Sequence, residues 1–156
     1  MTDERDIATD TTGLDETGRK VQSRREQLHE ATIDLNAALG SPVEPPERWL
    51  DTVRASIART HTLLETHVRE AEAPDGLLAQ VIEEEPAFGS RAQQMRAEHV
   101  ELLNDSATLL QLAEQDPSVD ELRAKATELI DLIEVHRHRS GSLLIDAYSL
   151  DLSAGD

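Results

Sequence analysis

The chain has 156 residues, enough for one domain with an apolar core, and it contains no cysteine. That excludes disulfides, thiolate metal sites, iron–sulfur clusters and cysteine nucleophiles together. A formal net charge of −17 argues against binding nucleic acid or an anionic membrane surface, because both rely on basic protein surface. Trp49, Phe88 and Tyr148 are the only aromatic side chains, so the core must be aliphatic and platforms for stacking bases or flavins are not expected.

Residues 1–16 are rich in Asp, Glu and Thr without periodicity, and read as a disordered acidic tail before a bundle domain spanning 17–152. No signal-peptide pattern is expected there, and no apolar run approaches the roughly 18 residues of a membrane span. The expected compartment is the cytoplasm.

Four long helical patterns follow. The first runs from Gly18 to Leu39 on a stripe of Val21, Leu28, Leu35 and Leu39, and Gly40-Ser41-Pro42 ends it. The second starts near Pro46, a residue suited to a first helical turn, and carries Leu50, Val53, Ile57, Leu64, Val68 and Ala71. Pro74-Asp75-Gly76 breaks it. Leu77, Leu78, Val81 and Ile82 then form a short apolar piece, expected to be an extra helix or lid that caps one bundle end. The third helix is expected from Ser90, with Gln93 at capping-box spacing, on a stripe of Ala92, Met95, His99, Leu102, Ser106, Leu109 and Ala113. The fourth opens at Ser118, with Glu121 at the same spacing. Its stripe is Val119, Leu122, Ala126, Leu129, Ile133, His136, Ser140, Leu143, Ala147 and Leu150. Nothing alternates with a strand's period. The fold class expected is all-α, an antiparallel up-down four-helix bundle.

Of six histidines, His99 and His136 fall inside apolar stripes at about 100° per residue, and His61 and His67 flank the second helix's stripe on opposite edges. His29 lies beside Leu28, and His138 points to solvent. Counting a rise of about 1.5 Å per residue from the helix ends puts His99 and His136 opposite each other, with His67 or His61 near their level. His29 is offset by a turn or more. A buried histidine is often a hydrogen-bonded packing residue, but imidazoles converging from several helices are also a common way to hold a transition metal. His67, His99 and His136 are the first candidate ligands. His61, Glu65 (four residues after His61) and His29 are the second, and Glu70, Glu72 and Glu98 are further carboxylates within the same stretch.

One histidine per helix, in the contexts Leu28-His29, Thr66-His67-Val68, Glu98-His99 and His136, with the Glu72-Ala73-Pro74 break, resembles the hemerythrin-like, or HHE cation-binding, bundles over residues 24 to 150. The resemblance implies non-haem iron held by histidines and bridging carboxylates, and binding or sensing of a small diatomic ligand or of redox state. The chain departs from that pattern at Ala71, Met95 and Gly141, where the family carries ligands. The resemblance therefore implies a reduced site, mono- or dinuclear, with zinc as another metal, or a degenerate member with none. His136-Arg137-His138-Arg139 resembles the final helix of DinB-like bundles, which implies a mononuclear three-histidine site. The remaining alternative is a metal-free interaction bundle that binds a partner, or its own copy as a homodimer, through its acidic faces or the segment 74–89.

Overall fold

The computed structural model describes the backbone of residues 5–154, and side chains from Arg19 to Ala147 together with Ser149. Residues 1–4 of the expected tail lie outside the described residues, as does the side chain of Leu150. The chain is all-helical, with four long helices: α1 (Arg5–Gly40), α2 (Pro46–Glu72), α4 (Gly89–Ala113) and α5 (Val119–Ala154), and a short α3 (Leu77–Glu84) between the middle two. There is no strand among the described residues. No helix among them is long and apolar enough to cross a membrane.

α1 packs on α2 and α5, and α4 packs on the same two from the other side. Cross-helix pairs show the relative direction of α1 and α2. Arg24 meets Glu70 at 3.1 Å and Asp34 meets Arg59 at 2.8 Å, so numbers rise along one helix while they fall along the other. An up-down arrangement requires that pattern.

Two helix starts differ from expectation. α1 begins at Arg5 rather than Gly18. α4 begins at Gly89 rather than Ser90, with no side-chain capping bond. A 3₁₀ turn, Pro86–Phe88, runs directly into α4, and the Gly89 N–H donates to the Pro86 carbonyl. The preceding turn thus supplies a partner at that end, and Ser90 has no capping task. The expected cap at α5 does form, with the Glu121 N–H donating to Ser118 Oγ at 3.1 Å.

Apolar side chains divide into two clusters. The larger, built on Leu28, Leu35, Val53, Ile57, Leu64, Leu102, Leu129 and Ile133, fills most of the bundle. The smaller is Leu78, Val81, Phe88, Ala92, Met95 and Leu143. α3 and the 3₁₀ turn therefore close one end of the bundle as a cap, rather than exposing a docking patch. The turn into α3 needs glycine at 76, because a Cβ there would lie 2.4 Å from the Glu70 carbonyl oxygen.

Candidate metal centre

Between the two apolar clusters lies one layer of imidazoles. On α2, His67 is one turn beyond Leu64. On α4, His99 sits between Met95 and Leu102, and on α5 His136 sits between Ile133 and Leu143. Each ring is thus carried inward by the same helical period that buries its apolar neighbours. His99 is 2% exposed and His136 1%, while His67 is half-buried. The ring centroids are 5.2 Å (67–99), 5.4 Å (67–136) and 4.8 Å (99–136) apart, all edge to face. One nitrogen from each ring can be chosen so that all three lie within 4.8 Å of one another.

The pair His67 Nε2 and His136 Nε2 is 3.2 Å apart. Two imidazole nitrogens bound to one tetrahedral ion at about 2.0–2.1 Å would stand about 3.3–3.4 Å apart, so this pair already has the required span. The His99 nitrogen stands within 4.8 Å of both. The outer nitrogens face carboxylates. His136 Nδ1 lies 3.4 Å from Glu98 Oε1 and His99 Nδ1 lies 3.5 Å from Glu72 Oε2. Carboxylates in that position fix the tautomer and aim of a ligating imidazole. With Nδ1–H of His136 donating to Glu98, its Nε2 lone pair is left facing His67. The His99 contact falls short of a hydrogen bond, and its Nδ1 is buried without a partner, as is Glu98 Oε2. The residues therefore fit a metal ion by donor type, spacing and outer support.

Burial holds all three rings neutral, the form that coordinates metal. It lowers the His67 pKa to about 4, with the positive charges of a protonated His99 and of Arg25 acting in the same direction. Burial likewise lowers His99 to about 4, aided by His136 and Arg96. His136 falls to about 3, from burial first and then His67, Arg25 and Arg139. Burial raises the Glu98 carboxyl against the pull of Arg139.

A pH dependence follows. The folded pKa values lie below the unfolded value near 6.5, so the stability these rings contribute is complete above pH 6.5 and is lost as pH falls toward 4. In that window each neutral ring adds a slope of about 1.4 kcal/mol per pH unit to the metal-free protein. Urea unfolding of metal-free wild type and His136→Leu at pH 7 and pH 5 checks it. The variant is expected to lose less stability on acidification. Equal losses would show that His136 takes up its proton normally in the fold.

The other candidates stand elsewhere. His61 Nδ1 pairs with Ser106 Oγ at 2.7 Å, and its Nε2 faces Glu65 at 3.3 Å. Ser106 is two turns along α4 from His99, about 10 Å by helical rise, so His61 and Glu65 are not part of the triad. His29 Nδ1 meets Glu134 at 3.1 Å across α1 and α5, on a half-exposed edge. Glu70 is engaged by Arg24. His138 is exposed.

The sequence reading did not single out Arg25. Its half-buried guanidinium lies over α5, donating to Ser140 Oγ at 2.9 Å. A Cβ at Gly141 would come within 2.8 Å of its Nη2. Where the resemblance expects a carboxylate on α5, this chain has a glycine with an arginine laid over it. The available signal was that Arg25 sits between Val21 and Leu28 on the α1 stripe, at a position otherwise apolar.

No protein-family model, curated protein or solved structure matches this chain.

Proposed function

We propose that this protein is a metal-binding bundle, up-down and antiparallel, in which a single transition-metal ion is held by His67, His99 and His136. The observation that carries the reading is three neutral imidazoles from three helices converging within 4.8 Å, inside a core that is otherwise mostly apolar. Neutral imidazoles suit non-haem iron, zinc and copper by ligand type. Three histidines without a carboxylate favour a mononuclear centre over a carboxylate-bridged pair, since Ala71 and Gly141 offer no bridge. Within the hemerythrin-like resemblance this is a reduced site, with an open position for a small ligand.

The rival reading makes the rings metal-free packing. In its favour, His67 Nε2 and His136 Nε2 are within hydrogen-bond distance of each other. Against it, that pairing engages only two of the three rings.

Elemental mass spectrometry on untagged protein, purified without chelator from iron- and zinc-supplemented cells, tests the proposal alongside an absorption spectrum. About one metal per chain is expected. Two irons with an oxo-to-iron charge-transfer band would replace the mononuclear reading with a dinuclear one. No metal in a folded protein would make the histidines structural.

A further inference from the structure

We propose that the three-histidine centre takes a small carboxylate as its additional ligand, with the Arg25 guanidinium as the charge partner of that carboxylate. The inference rests on the metal reading above and names the ligand class of the same site.

Charge is the first argument. Three neutral imidazoles cancel none of a divalent ion's charge, and no carboxylate belongs to the cluster among the described residues. Each carboxylate behind the rings already has its own arginine. Glu98 faces Arg139 at 3.4 Å, and Glu72 faces Arg96 at 3.9 Å. Arg25 is different: among the described residues its one polar contact is the neutral hydroxyl of Ser140. It is half-buried, and its contact with Ser140 holds it one turn beyond His136 on α5. In a chain of net charge −17, a half-buried arginine without a carboxylate beside a cluster of neutral imidazoles is a site for an external anion.

Shape selects the kind of anion. One guanidinium and one open metal position offer two anchors, which match the two oxygens of a carboxylate. A phosphate group would leave further charged oxygens without donors. Beside His67, between α1 and the end of α2, lies a cavity of about 650 Å³. Its walls are mixed: Lys20, Arg24 and Arg69 stand with Glu70 and Asp75, Arg24 being paired with Glu70, and Val21, Ala71 and Leu77 supply apolar wall. His67 is the one member of the triad in that wall. A short organic acid fits this mixture, with its body in the cavity and its carboxylate at the centre.

Gly141 is part of the arrangement. Because a methyl group there would collide with the guanidinium, the glycine is what lets Arg25 lie against α5 at this height.

Full-length protein loaded with cobalt(II), whose visible spectrum reports changes in coordination, is titrated with acetate and separately with inorganic phosphate. The expected result is a saturable spectral change with acetate. Arg25→Gln should weaken it at least tenfold (about 1.4 kcal/mol) at unchanged cobalt stoichiometry. Gly141→Ala, which moves the guanidinium without removing it, should weaken it less. Should Arg25→Gln not fold, Gly141→Ala decides. A loaded wild type that ignores acetate or responds to phosphate alone overturns the proposal, as do variants that titrate like wild type, and the metal reading then stands. A folded wild type that takes up no cobalt overturns the metal reading itself, and this proposal with it.

Discussion

His99→Ala and His136→Ala are each expected to abolish metal retention, while His138→Ala retains the wild-type content. The reason is geometric. Both core rings are buried to 2% exposure or less, and each comes from a different helix, so losing either leaves two of the three imidazole donors. Altering residues that merely support a ligating imidazole costs about 10–100-fold in metal affinity, so removing one of three direct donors should cost more than about 100-fold. After dialysis without chelator, elemental analysis should give close to zero metal per chain for either core variant. His138 lies two residues from His136 on α5 but is turned to solvent, so its loss removes an exposed ring and nothing from the triad. The His138 variant also controls for metal held loosely at the surface of a protein with 32 acidic residues. Wild-type metal content in both core variants would sink the assignment.

The helical period made much of this legible in advance. All seven positions expected on the inward stripe of α4, from Ala92 to Ala113, are buried. The level of His99 against His136 followed from counting residues to the helix ends, and the rings stand 4.8 Å apart. His67 was placed ahead of His61 although both flank the same stripe, and packing is what brings His67 rather than His61 to the other two rings. His61 instead finds Ser106, two turns down α4. The extension of α1 back to Arg5 was missed because Ile7 and Leu14, which continue the seven-residue spacing of Val21, Leu28 and Leu35, are sparse among acidic residues and threonines. Ser90 and Gln93 had the spacing of a cap, yet the Pro86–Phe88 turn met that need through the backbone. Arg25 was missed because arginine among charged neighbours looks like solvated surface. Its meaning depends on Gly141, which lies 116 positions away in the chain and becomes its neighbour only through the packing of α1 on α5.

Replacing His99 by leucine should separate function from stability in opposite directions. The ring occupies one position in a layer between Leu64, Leu102 and Ile133 on one side and Met95 and Leu143 on the other, all buried or nearly so. In the metal-free protein its Nδ1 has no partner, which costs about 1–3 kcal/mol. Leucine fills a similar volume with no polar atom to satisfy, and it leaves the His67–His136 nitrogen pair intact. Metal-free His99→Leu is therefore expected to be more stable than metal-free wild type by about 1–2 kcal/mol, with Tm higher by about 2–8 °C. With metal in excess the order should reverse. Wild type then gains about 4 kcal/mol at a metal concentration a thousand times Kd, and the variant, short of one donor, gains little. Calorimetry of both proteins, stripped with chelator and then reloaded, measures the two differences in one series. A reversal on loading is what a site kept for metal at the expense of the apolar core must show. A metal-free variant less stable than wild type would mean that the His99 ring serves packing, and that the cost assigned to its buried nitrogen is wrong.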